Sequence, residues 1–108
     1  KDSFHMIDES KFKLMKKTAF IINTSRGKVI NEHHLISALR NKVIAGGALD
    51  VYEIEPICRS NPLTQLSQTI LLPHIGSATF ITRSKMSEIA VNNIVNFFNS
   101  NGIVHKVN

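Results

Sequence analysis

The chain of 108 residues holds one cysteine, one tyrosine, three prolines, five glycines and no tryptophan. A lone Cys58 excludes an internal disulfide and fits a reducing, cytoplasmic setting. Only Arg59 stands beside it and no histidine is near in sequence to activate it, so it reads as a loop thiol rather than a nucleophile. No run of about eighteen uncharged apolar residues is present, so no membrane-spanning helix is expected. Lys1-Asp2-Ser3-Phe4-His5 carries no apolar h-region, so no secretory signal is read there. The absence of an initiating methionine leads us to expect a segment of a longer chain. No Gly-x-Gly-x-x-Gly turn occurs, and Gly46-Gly47 lies inside an apolar run, so no phosphate-cradling loop is expected.

Thirteen Lys and Arg against eight Asp and Glu give a net charge of +5. The excess is spread from Lys1 to Lys106, and its densest run, Lys11 to Lys17, alternates with Phe12, Leu14 and Met15 as on a solvated helix face. With so few aromatic rings to stack on bases, nucleic-acid binding is not expected; an anionic small substrate suits the bias equally well. No metal-ligand set is read in the sequence.

Asp8 suits the N-cap of a helix reaching Lys16-Lys17. Ala19-Phe20-Ile21-Ile22-Asn23 reads as a short strand buried on both faces. It stops at the polar turn Thr24-Ser25-Arg26-Gly27. Asn31 then caps an amphipathic helix over Glu32 to Arg40, with Leu35, Ala38 and Leu39 at helical spacing. A second strand lies within Val43 to Val51, its glycines predicting close packing of a helix. A long loop is expected from Tyr52 to about Pro62, then a strand at Ile70-Leu71-Leu72. A long helix from about Thr79 carries Met86, Ile89, Ala90, Ile94 and Phe97 as a stripe and stops near Asn101-Gly102.

Strands alternating with helices define an α/β chain with a mostly parallel sheet. Ligands of such sheets sit beyond the carboxyl ends of the strands. The three strands end at Arg26, at Asp50 and Glu55, and at His74, so one rim should gather a guanidinium, carboxylates and an imidazole. Arg26 offers a planar fork for a carboxylate. His74 can give or take a proton near neutrality, and Glu55 can hold its ring and favour the protonated form. Gripping a carboxylate and protonating the adjacent carbonyl is what reducing a 2-oxo acid requires, and the hydride must come from a cofactor. Each residue also has a structural reading: Arg26 as a surface turn residue, Glu55 as part of a solvated loop beside Glu53, His74 as a satisfied structural histidine, Asp50 as a turn cap.

Three motifs add to this. Asn23-Thr24-Ser25-Arg26-Gly27-Lys28-Val29-Ile30-Asn31 resembles the N-x-x-R-G-x-x-[VI]-[DN] signature of the D-isomer-specific 2-hydroxyacid dehydrogenases. Gly47-Ala48-Leu49-Asp50-Val51-Tyr52-Glu53-Ile54-Glu55-Pro56 resembles their [GA]-[GA]-L-D-V-[FY]-x-x-E-P. Leu72-Pro73-His74-Ile75-Gly76-Ser77-Ala78-Thr79 resembles x-P-H-I-G-S-A-T, in the form typical of the glyoxylate and hydroxypyruvate reductase branch. The resemblance runs over nearly the whole chain.

It implies part of a Rossmann-like, doubly wound parallel sheet: residues 1–80 as the C-terminal half of a nucleotide-binding domain, and 81–108 as a helix and tail returning to a substrate domain that is not in the chain. It implies reduction of glyoxylate, hydroxypyruvate or a similar 2-oxo acid with NADH or NADPH. Arg26 would bind the substrate carboxylate and carbonyl, His74 would protonate the carbonyl oxygen, and Glu55 would pair with His74. Thr24, Asp50 and Gly76 would meet the nicotinamide end of the cofactor, with Gly76 and Ser77 lining the substrate pocket. A homodimer of the full-length protein would follow. The departures from the family are the missing glycine turn, the missing residue that selects NAD or NADP, and the missing substrate domain. They leave an alternative, a truncated, non-catalytic fragment acting as an interaction module.

Overall fold

Asn31 opens the first long helix as its sequence position predicts: its side-chain Oδ1 accepts the backbone N–H of His34 at 3.0 Å. In the computed structural model, which describes residues 3–99, this helix (α2, Glu32–Arg40) buries Leu35, Ala38 and Leu39. Before it come α1 (Glu9–Phe12), strand β1 (Phe20–Asn23) and a 3-10 turn at Gly27–Val29; after it come β2 (Gly46–Leu49), a 3-10 turn at Pro62–Gln65, β3 (Thr69–Leu71) and α3 (Phe80–Phe98). The chain divides into two compact units between Gly76 and Ser77.

In the first unit the strands form one parallel sheet in the order β1-β2-β3, with Phe20 opposite Gly46 and Gly47 opposite Thr69. Consecutive strands are neighbours, as right-handed βαβ connections favour. The core gathers Phe12, Ile30, Leu35, Leu39, Ile44, Leu49, Tyr52 and Leu63. Ahead of α1, residues 5–7 run beside residues 28–31: His5 N–H donates to Lys28 O, Ile7 N–H to Val29 O and Asn31 N–H to Ile7 O, at 2.8, 3.0 and 2.9 Å.

Three expectations need correction. The first helix stops at Phe12 rather than reaching Lys16-Lys17. Its last turn tightens through Leu14 N–H to Lys11 O and Met15 N–H to Phe12 O, both at 3.1 Å, and Met15 packs on the core beside buried Phe12. Strand β1 is covered on one face only: Asn23 is buried, whereas Phe20 is 68% and Ile22 70% exposed. With period-2 alternation, Phe20 and Ile22 share a face with Ile70 of β3, also exposed. The apolar run reports two apolar faces, and a run alone cannot say which of them is covered.

The glycines of β2 make room for something other than a helix. A Cβ at Gly46 would lie 2.7 Å from both the Gln68 carbonyl oxygen and the Phe20 ring, so the glycine admits a neighbouring strand's side chain and the chain entering β3. The loop expected from Tyr52 to about Pro62 is present and leads into the turn at Pro62–Gln65, where Asn61 Oδ1 accepts Leu63 N–H at 2.9 Å and Leu63 is fully buried.

In the second unit Thr79 caps α3, its Oγ1 accepting Thr82 N–H at 3.2 Å. Met86, Ile94 and Phe97 of the expected stripe are exposed, as are Phe80 and Ile81. The expected stop at Asn101-Gly102 lies outside the described residues. Among those residues, no helix is long and apolar enough to cross a membrane.

Candidate active site at the strand ends

The end of β1 is shaped by Asn23, which is buried at 5% exposure. Its Oδ1 accepts the backbone N–H and hydroxyl of Ser25 at 3.1 and 3.0 Å, and its Nδ2 donates to the Arg26 carbonyl at 2.9 Å. This Asx-type turn fixes the backbone of Arg26. Gly27 then lets the turn lie against the next motif, because a Cβ there would fall 1.9 Å from the Tyr52 carbonyl oxygen. The Arg26 guanidinium is exposed, and its Nη1 donates to the Ser25 carbonyl at 2.6 Å. Thr24 is exposed beside it.

Beyond β2, Asp50 is 3% exposed. Its two carboxylate oxygens accept the backbone N–H groups of Ile75 and Gly76 at 2.8 and 2.7 Å. Buried carboxylates need such donors. Tyr52 is buried as well, and its single hydroxyl proton is shared between the carbonyls of Leu72 at 2.8 Å and Leu49 at 3.2 Å, the shorter bond to Leu72 dominating, which joins the ends of β2 and β3. Burial, reinforced by Asp50, pushes the phenol above its ordinary value.

His74 adopts φ 55°, the left-handed region that a β-carbon disfavours. Asp50 holds the backbone just after it, and Glu55 holds its ring: His74 Nδ1 lies 2.6 Å from Glu55 Oε2. Glu55 Oε1 accepts Tyr52 N–H at 3.0 Å. The hydrogen bond from His74, followed by that from Tyr52, keeps the Glu55 carboxyl below the usual carboxylate range. Arg26, Glu55 and His74 line one open pocket of about 760 Å³, together with Phe4, Lys28, Tyr52 and Glu53.

The structure thus brings together Arg26, Glu55 and His74, and ties Asp50 and Gly76 to the same rim. Ser77 begins the second unit. Sequence reasoning gave no role to Asn23, Gly27 or Tyr52, although all three lie inside the quoted motifs; Asn two residues before a serine and glycine directly after arginine were the available signals.

The sequence model described as D-isomer specific 2-hydroxyacid dehydrogenase, NAD binding domain, matches residues 1–76. The chain belongs to that family. It is 45% identical over 95 residues to a glyoxylate reductase of Thermofilum pendens, covering 88% of this chain and 28% of that protein. It is also 45% identical over 96 residues to a glyoxylate reductase of Korarchaeum cryptofilum, covering 89% of this chain and 29% of that protein. The crystal structure of an NADPH-dependent glyoxylate/hydroxypyruvate reductase from Sinorhizobium meliloti, in complex with NADP and malonate, superposes with a TM-score of 0.92 at 31% identity, covering 98% of this chain and 33% of that one. The parallel sheet is therefore part of the Rossmann-like NAD-binding domain of these enzymes, and the chain spans less than a third of the length of these two glyoxylate reductases.

Proposed function

We propose that the protein carrying this chain reduces glyoxylate, hydroxypyruvate or a similar small 2-oxo acid to the 2-hydroxy acid with NADH or NADPH. The observation that carries this reading is the convergence of Arg26, Glu55 and His74 on one pocket. The residues present fit the nicotinamide end of the cofactor and not its phosphates: Thr24 is exposed at the end of β1, while the sequence holds no Gly-x-Gly-x-x-Gly turn. When bound, the cofactor supplies the hydride that the side chains lack.

Arg26 pairs with the substrate carboxylate through its exposed fork and draws electron density from the adjacent carbonyl. His74, with Nδ1 on Glu55, presents Nε2 as the acid that would protonate the carbonyl oxygen. Glu55 stabilises the protonated ring, and its lowered pKa keeps it ionised for that task. Thr24, Asp50 and Gly76 serve the nicotinamide end, Asp50 chiefly through the backbone that it holds. The assignment of Ser77 to substrate rests on the family motif alone. Residues 1–80 act as the C-terminal half of the nucleotide-binding domain, and the rest as a helix and tail. A cytoplasmic location is supported by the unpaired, exposed Cys58. Homodimerisation of the full-length protein belongs to the same reading and rests on the family resemblance alone.

The test is oxidation of NADPH and NADH by the full-length protein with and without a panel of 2-oxo acids. Turnover should require the acid, and Arg26→Ala and His74→Ala should each lower kcat/KM by at least about a hundredfold. Turnover unchanged in either variant removes the role assigned to that residue. A folded wild-type protein that oxidises neither cofactor with any acid favours the interaction module instead.

A further inference from the structure

Glu32 and Glu53 are far apart in sequence, and each carboxylate accepts the other's backbone N–H. Glu53 Oε1 takes Glu32 N–H at 2.8 Å, and Glu32 Oε2 takes Glu53 N–H at 3.2 Å. Two carboxylates at one place repel, so something must offset them. Glu32 is the first residue of α2, where the helix dipole favours an anion, and its Oε1 also accepts Asn61 Nδ2 at 2.7 Å. Glu53 Oε1 lies 3.0 Å from His5 Nε2, though not aligned as a hydrogen bond. His5 is itself placed by Asn31 Nδ2, 3.2 Å from its Nδ1, and by stacking against Phe4.

This cross-brace ends two residues before Glu55. The N–H of Glu53 goes to Glu32, and the preceding N–H, of Tyr52, goes to Glu55 itself. The loop backbone is therefore fixed at successive residues, and Glu55 is left with one oxygen aimed at His74. The pair it forms is open to solvent, its side chains 50% and 36% exposed. An exposed pair of this kind holds its own geometry weakly, so its alignment must come from the backbone beneath it.

We propose that Glu32 and Glu53 are positioning residues, whose reciprocal brace holds Glu55 against His74 and so sets the rate of proton delivery. The proposal rests on the reductase reading above. In the full-length protein, Glu53→Ala should lower kcat about tenfold while the KM for the 2-oxo acid changes less than about twofold. Glu53→Gln, which keeps an acceptor for the Glu32 N–H, should recover most of that loss. In a Glu55→Gln background, Glu53→Ala should add less than about twofold, because residues acting through one another are not additive.

Losses that multiply in the double variant would show a general structural role and overturn the proposal. If Glu53→Ala fails to fold, Glu32→Ala, which removes the acceptor for the Glu53 N–H, carries the same cycle against Glu55→Gln. If the folded wild type turns over no 2-oxo acid, the reductase reading fails, and the brace is read without substrate from the imidazole ¹⁵N signals of His74. The same displacement of those signals in Glu53→Ala and Glu55→Gln sustains the brace; unaltered signals in folded Glu53→Ala overturn it.

Discussion

Arg26 and His74 stand at the ends of different strands and are held in opposite ways. His74 is fixed at both backbone and ring: Asp50 takes the two N–H groups that follow it, Glu55 takes its Nδ1, and Tyr52 ties the Leu72 carbonyl just before it. Arg26 is fixed at its backbone only, by Asn23, while its guanidinium is exposed and meets the chain at the Ser25 carbonyl. A proton donor must be aimed, because transfer depends on distance and angle. An anion clamp needs donors left open for a ligand, because a guanidinium already satisfied by protein carboxylates has little left to offer.

The largest effect that would break this comparison is at Asp50. Asp50→Ala leaves two backbone N–H groups without acceptors and frees a loop in which His74 sits at φ 55°. It should cost about 3 kcal/mol in urea denaturation of the full-length protein, since each hydrogen bond involves a charged acceptor. Arg26→Ala, by contrast, should change stability by less than about 0.5 kcal/mol, as for other exposed positions. Similar losses in the two variants would mean that the two strand ends are not built differently after all.

Much of this was legible in the sequence, and the parts that were not share a cause. The helix over Glu32 to Arg40 was read to the residue, because Asn31 caps it and its apolar spacing has one period. The strands were found within a residue or two, except that β2, Gly46–Leu49, covers only part of the Val43 to Val51 stretch. Arg26, Glu55 and His74 were gathered by a rule about where strands end, and the three motifs sharpened it. The bare face of Phe20, Ile22 and Ile70 was not legible, since covering a face depends on which layers fold against it. Nor was the Glu32–Glu53 brace, since bonds between residues so far apart leave no mark on local pattern.

A smaller effect tests the Arg26 side. Gly27 permits the Arg26 turn to lie on the Tyr52 backbone, with no room for a β-carbon. Gly27→Ala should destabilise by about 2 kcal/mol through forced displacement of one segment from the other. It should also reduce turnover more than its stability loss explains, because the displaced segments carry Arg26 on one side and lead to Glu55 on the other. Stability and activity both near wild type would mean that the two motifs need not touch for the site to form.

The smallest effect is a titration, and it sharpens the His74 side. Glu55 has its folded-state pKa lowered, first by the His74 hydrogen bond and next by the Tyr52 N–H. A depressed carboxyl contributes stability that is fully present above its unfolded pKa, roughly 4.3, and that is lost as the pH falls through the folded value. The contribution is modest because both side chains are partly solvated. A carboxyl ¹³C titration of the full-length protein should therefore place the Glu55 midpoint below that of an ordinary glutamate. His74→Ala should move it upward, but not the whole way, because the Tyr52 N–H remains. A midpoint that stays put when the imidazole is removed would assign the depression to the loop backbone alone, and Glu55 would then be fixed by its own turn whether or not it faces a histidine.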